Sequence, residues 1–198
     1  MSIYQQTWED LRARFDFPPQ PPRWPPFQPW HHSFQPGEWA VLWGLLEFVR
    51  PQRMLEIGVQ EGHAAAPILQ GMADLRLYVG VDVPDTFSTV EAYHRQAPEL
   101  VRGHLAMRDA RFALLLLGGG TASLGGLLAP GQFDAVLIDA DHTAAGVARD
   151  TALADQLIRP GGLIVWHDLE TYPPVEKFLQ QRPGTVWASG NIGWQFAE

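Results

Sequence analysis

Asp139-Ala140-Asp141-His142 closes the apolar run Phe133–Ile138, and His167-Asp168 closes the run Leu163–Trp166. The second group follows the first by roughly 24 residues, about the crossover that one helix needs between adjacent parallel strands. Carboxylate and imidazole are hard or borderline donors that Mg²⁺, Mn²⁺, Fe²⁺ or Zn²⁺ accept. His142 is also a general-base candidate, since an unperturbed imidazole titrates near neutrality. Helix capping by Asp141-His142 and turn capping by Asp168 is the plainer reading. It accounts for one acid per strand end but not for two acid–histidine pairs at neighbouring ends.

A second group lies earlier. Glu56-Ile57-Gly58-Val59-Gln60-Glu61-Gly62 reads as a strand end, a glycine turn and a helix start. Amides exposed at such a turn can meet a carboxylate or phosphate. Gln60 stands where the Gly-x-Gly-x-x-Gly turn of dinucleotide sites has glycine. A turn glycine needing positive φ explains Gly58 equally well. Asp82 closes the next apolar run, where an acid can accept from ribose hydroxyls. Asp109 is expected to close the third strand, either accepting from an adenine amino group or capping a helix at Ala110.

These residues need a scaffold that brings strand ends together. Helices are expected at Tyr4–Phe15 and at Glu38–Val49, the latter with the apolar stripe Trp39, Leu42, Trp43, Leu45, Leu46 and Val49. Strands are expected at Arg53–Ile57, Leu75–Val81, Val101–Met107, Phe133–Ile138 and Leu163–Trp166. Helical segments at Gly62–Met72, Thr86–Gln96, Ala110–Leu117, Ser123–Leu128, Ala144–Ile158 and Pro174–Gln181 alternate with them. Thr185–Ala188 and Gly193–Phe196 read as short closing strands. Such alternation predicts a parallel sheet covered on both faces, with ligands beyond the carboxyl ends of the strands. Phe17–Pro29 is too rich in proline for helix or central strand. It reads as an arm over the domain, a lid over a site, or a segment exchanged within a homodimer. The expected boundaries are a helix and arm over residues 1–35 and one α/β domain over 36–198.

Composition narrows the function. The 198 residues carry a formal net charge of -8 and no lysine/arginine cluster, which argues against nucleic acid. With no cysteine, neither disulfides nor thiolate-held zinc are available. No long apolar run or signal peptide is visible, so a cytoplasmic protein with no membrane partner is expected.

Leu55–Gly58, Phe133–His142 and Arg159-Pro160-Gly161-Gly162 leading into His167-Asp168 together resemble the class I methyltransferases that use S-adenosyl-L-methionine (SAM). The similarity is greatest to small-molecule O-methyltransferases of the macrocin O-methyltransferase and cephalosporin-hydroxylase-like group, and extends to the catechol type. It covers roughly Pro36 to Asp168. The resemblance implies a Rossmann-like, doubly wound, seven-stranded sheet with an antiparallel last strand. It implies SAM binding by Glu56, Gly58, Val59, Gly62, Asp82, Asp109 and Asp139. A divalent metal, Mg²⁺ or softer, would sit at Asp139, His167 and Asp168. His142 takes the place of the catechol-type lysine base, with Asp139 beside it as the second catalytic group.

The expected reaction is in-line methyl transfer to an oxygen of a small molecule, with Trp24, Phe27, Trp30 and Trp166 as an aromatic wall for an apolar substrate. Three alternatives stand beside it. One is a non-catalytic SAM-fold module, and another a nicotinamide-dependent oxidoreductase, which Gln60 disfavours. The third is a metal-dependent hydrolase, which lacks helical His-x-x-x-His spacing. His31 and His32 read as loop residues.

Overall fold

Two apolar runs become strands with the predicted bounds, β2 (Arg53–Ile57) and β5 (Phe133–Ile138). The computed structural model describes residues 3–15, 34–84, 102–124 and 126–198. The other strands are β1 (Tyr4–Gln5), β3 (Leu77–Asp82), β4 (Phe112–Leu116), β6 (Ile158–Trp166), β7 (Trp187–Ser189) and β8 (Ile192–Phe196). They form one sheet in the order β1-β7-β8-β6-β5-β2-β3-β4. All neighbours are parallel except those of β8, which runs against β6 and β7. The chain leaves β2 toward β3 and β4, then returns to β5 on the other side of β2. That reversal is where an open α/β sheet leaves a crevice at its carboxyl ends.

Helices α1 (Trp8–Phe15), α2 (Pro36–Val49) and α3 (Ala65–Gly71) cover one face, and α4 (Ala144–Leu157) and α5 (Pro173–Gln181) the other. The split follows strand alternation. Met54, Tyr78, Leu137 and Val165 face the first layer with Leu42, Leu45 and Ile68. Leu55, Ile57, Val79, Ile138 and Trp166 face the second with Val147, Ala154 and Leu179. The same alternation turns Glu56, Asp139 and His167 toward the α2 face. Pro36 opens α2 because its missing amide is lost nothing at a first helical turn, and the Gln35 amide donates to Glu38 Oε2 at 2.6 Å. Thr143 caps α4, its hydroxyl accepting from the Gly146 amide at 3.1 Å.

The structure departs from expectation in three places. Strand β1 joins the sheet edge beside β7 where a helix was expected from Tyr4, so the sheet has eight strands rather than seven. Residues 102–110 form turns, and the expected helix Ala110–Leu117 is instead β4. A run as uniformly apolar as Phe112–Leu117 has no periodicity to choose strand over helix; pairing of Tyr78–Asp82 with Phe112–Leu116 decides it. The Ser123–Leu128 helix is a 3-10 turn at Gly120–Leu124. The arm with Trp24, Phe27 and Trp30, the pair His31-His32 and the expected helix Thr86–Gln96 lie outside the described residues.

Candidate active site

The glycine turn after β2 is pinned from below. Gly58, at φ +92, donates its amide to the Val81 carbonyl at 2.8 Å. Asp82 Oδ2 accepts from the Val59 amide at 2.9 Å and the Gln60 amide at 2.7 Å, and Arg102 Nη1 approaches it at 3.3 Å. The amides expected to be bare are therefore already engaged, and α3 starts only at Ala65. Asp82 Oδ1 accepts from the Val83 amide at 2.7 Å, and Asp82 lines the crevice. Glu56 is buried beside Tyr78; burial, with Asp139 and Asp82 nearby, pushes its carboxyl well above the ordinary range.

The two acid–histidine groups converge at the ends of β5 and β6. His142 Nε2 lies 3.0 Å from Asp168 Oδ2 and 3.6 Å from Asp139 Oδ1. It is buried and aligned for a hydrogen bond with neither. Its ring stacks on Tyr172 with centroids 4.2 Å apart. His167 is a strut: Nδ1 meets Asp139 Oδ1 and Nε2 meets Glu38 Oε2, each at 3.2 Å, while Phe34 stacks on its face. Burial opposes charge on both rings, but the carboxylates outweigh it and push His142 up to about 9 and His167 up to about 10. Burial likewise opposes ionisation of Asp139, yet the two histidines hold its carboxyl far below the usual range. Asp168 takes the left-handed region at φ +63 and accepts from Asn191 Nδ2 at 3.1 Å. Asn191 Oδ1 in turn accepts from the Glu170 and Thr171 amides at 2.8 and 3.1 Å.

Two cavities open over these ends. One, of about 540 Å³, runs from Gly58 past Asp82 to Thr121, Asp141 and Arg149. The other, of about 490 Å³, lies between Phe34, Glu38, His63, His167, Tyr172 and Asn191. Gly58, Gln60, Asp139, Ala140 and His142 line both, so the lobes meet at the acid–histidine cluster.

Residues 55–169 match the family described as "Methyltransferase domain". The chain belongs to this family. No curated protein matches the sequence. Among solved structures, the cofactor-bound protein Rv0187 from MTB is similar at 19% identity and a TM-score of 0.60, covering 84% of this chain and 82% of that one. An O-methyltransferase from Bacillus cereus in complex with SAH is similar at 16% identity and TM-score 0.57, covering 85% and 84%. The SAH-bound Podospora anserina methyltransferase PaMTH1 is similar at 18% and 0.56, covering 83% and 79%. These likenesses speak for a methyltransferase fold. No helix among the described residues is long and apolar enough to cross a membrane.

Within this methyltransferase, Gly58, Val59, Asp82, Asp139, His142, His167 and Asp168 border the cavities, while Glu56 and Gly62 sit beside the turn without lining either. Asp109 does not come near. Because the strand it was expected to close begins only at Phe112, it lies at the amino end of β4. Its carboxylate is taken by Arg111 Nε at 2.9 Å, and Arg111 also reaches the carbonyls of Leu69, Met72 and Leu75. Among the described residues, Asp139, His142 and Asp168 each offer one donor atom within 4.8 Å of the others; His167 is not in that group. Trp166 is not a substrate wall. Its ring is buried under α4, with Nε1 donating to Thr151 Oγ1 at 2.9 Å. Glu38, Tyr172 and Asn191 had no role assigned from the sequence. Glu38 looks like an ordinary first-turn helix acid, and Asn191 like an ordinary turn residue after Gly190.

Proposed function

We propose that this methyltransferase moves the methyl group of SAM to an oxygen of a small molecule. The observation that carries this is the pair of cavities meeting at Gly58, Asp139 and His142, at the sheet's reversal point. The donor nucleoside fits the lobe under Asp82, with its amino-acid tail along Gly58 and Gln60, where that lobe meets the other. The acceptor fits the lobe between Glu38, Asp168 and Tyr172. The sulfonium methyl then lies at the junction, beside carboxylates that favour its positive charge. Holding the acceptor oxygen in line with the methyl carbon supplies much of the rate. As the O–C bond forms, the C–S bond breaks and the donor leaves as a neutral thioether. The hydroxyl proton passes to the Asp139–His142–Asp168 group.

The state of His142 limits that step. A ring pushed up to about 9 carries its proton at neutral pH and must lose it before it accepts another. Asp139, His142 and Asp168 suit a divalent cation, because the buried Nε2 of His142 faces both carboxylates without a hydrogen-bond partner among the described residues. Such an ion would supply Lewis-acid polarisation of the acceptor oxygen. The mixed oxygen–nitrogen donor set favours Mn²⁺, Fe²⁺ or Zn²⁺ over Mg²⁺. The Asp139-Ala140-Asp141-His142 and Gly161-Gly162…His167-Asp168 motifs support placement beside the macrocin O-methyltransferase group. Calorimetric titration with SAM and its demethylated product SAH tests the core of this reading. Micromolar binding of both is expected; no heat and no thermal shift with either would refute it.

A further inference from the structure

We propose that Asn191 is a positioning residue for methyl transfer: its side-chain amide turns one oxygen of Asp168 toward His142 in the acceptor lobe. The inference rests on the reading that Asp168 and His142 serve the acceptor hydroxyl. Asn191 sits in the two-residue turn between β7 and β8, whose first corner is Gly190 at φ +55. From there it reaches the loop that follows β6. Asn191 Oδ1 accepts from the Glu170 and Thr171 amides at 2.8 and 3.1 Å and from Thr171 Oγ1 at 3.2 Å. Its backbone carbonyl accepts from the Leu169 amide at 3.1 Å. Backbone amides only donate, so the side-chain oxygen of Asn191 has to face them. The amino end of the side chain then has to face Asp168, where Nδ2 donates to Oδ1 at 3.1 Å.

That bond sorts the two oxygens of Asp168. Oδ1 is taken by Asn191, and Oδ2 is left 3.0 Å from His142 Nε2. Asp168 stands at φ +63, a region that residues other than glycine seldom enter, so its conformation needs outside support. Asn191 supplies it twice, holding the carboxylate through Nδ2 and the amides of residues 170 and 171 through Oδ1. The Asp168 carbonyl closes the loop by accepting from the Tyr172 amide at 3.0 Å, and Tyr172 stacks on His142. One side chain of the β7–β8 turn thus sets both the acid that faces His142 and the loop that carries the ring against it. Asn191 also touches the neighbouring strut. Burial opposes the charge of Glu38, but His167, the Gln35 amide and then Asn191 outweigh it and keep its carboxyl below the ordinary range.

Two variants of the full chain separate aiming from loop support. N191D keeps an oxygen for the Glu170 and Thr171 amides but, ionised at neutral pH, has no proton for Asp168. N191A loses both contacts. Crystal structures of both should show Asp168 Oδ2 beyond about 3.5 Å from His142 Nε2, outside hydrogen-bond range. In N191D residues 169–172 should stay in place, and this variant should melt close to the unsubstituted protein while N191A melts lower. The His142 ring-nitrogen resonances, identified in NMR spectra by their loss in H142A, should shift in both variants. If Asn191 only staples the loop, N191D keeps the 3.0 Å approach and the original resonances, and the inference is wrong. It is equally wrong if N191A leaves Asp168 Oδ2 beside His142. Titration with SAH runs alongside. Failure of the unsubstituted protein to bind it would bring down the methyl-transfer reading, whereas normal SAH binding with an unmoved Asp168 would bring down this inference alone.

Discussion

Gly58 and Gly62 share nearly the same φ, +92 and +93, yet differ in what surrounds them. A methyl group added at Gly62 would meet its nearest neighbour at 3.5 Å, an ordinary contact. One added at Gly58 would lie 1.9 Å from the Asp139 carbonyl oxygen, 2.5 Å from its carbon and 2.8 Å from Ala140 Cα. All three are backbone atoms, so no rotamer change relieves them, and the end of β5 must retreat. Holding alanine at positive φ costs about 1–3 kcal/mol at either site. Displacing packed backbone at Gly58 adds about 1–3 kcal/mol more, as overpacking does elsewhere. For a chain of this length, about 2 kcal/mol of difference corresponds to a Tm gap of roughly 4–8 °C. G58A should therefore melt well below G62A in scanning calorimetry. Because the same retreat moves Asp139, G58A should also lose SAH affinity by more than about tenfold, worth roughly 1.4 kcal/mol. Equal melting temperatures for the two variants would refute the close approach of the glycine turn to β5, and with it the junction of the two lobes.

Other outcomes follow from the site. H142A and D139N should each abolish most methyl transfer while leaving the far-UV spectrum and cooperative unfolding intact; unchanged turnover in both would remove their assigned roles. His167 binds its proton more tightly folded than unfolded, so its contribution to stability is complete below about pH 6.5, declines above it, and is gone once the pH passes about 10. Tm should thus fall between those limits in the unsubstituted protein and fall less in H167Q; parallel Tm–pH curves would show that the strut carries no such linkage. D109N should leave SAH affinity unchanged, because Asp109 borders neither cavity. It should lower stability by about 0.2–1 kcal/mol, as a partly exposed pair does, and a tenfold loss of SAH binding would contradict its placement.

Legibility tracked how local the deciding interactions are. Arg53–Ile57 and Phe133–Ile138 are bounded apolar runs beside turn residues, and their strand limits could be read directly. Asp139 and Asp168 were legible as strand-end residues once the alternation was seen. The segment around Asp109 was not, because Phe112–Leu117 is apolar throughout and the preceding Val101–Met107 also carries Val101, Leu105, Ala106 and Met107. Only the register against β3 selects which of them is the strand. The different surroundings of His167 and His142 were hidden for a similar reason. Both follow apolar strands and both are histidines, but one reaches Glu38 on α2 and the other Asp168, and Glu38 lies 129 positions from His167 along the chain.

Composition, hydrophobic period and the glycine turn were enough for an α/β sheet with its chemistry at the carboxyl ends. Those features depend on neighbours a few residues apart, and the backbone's two periods write them into the chain. Tertiary packing decided which imidazole stands against which carboxylate, that Asp82 pins the turn, and that Trp166 belongs to the core. Each of these is a contact between distant segments whose distance and alignment no linear spacing encodes.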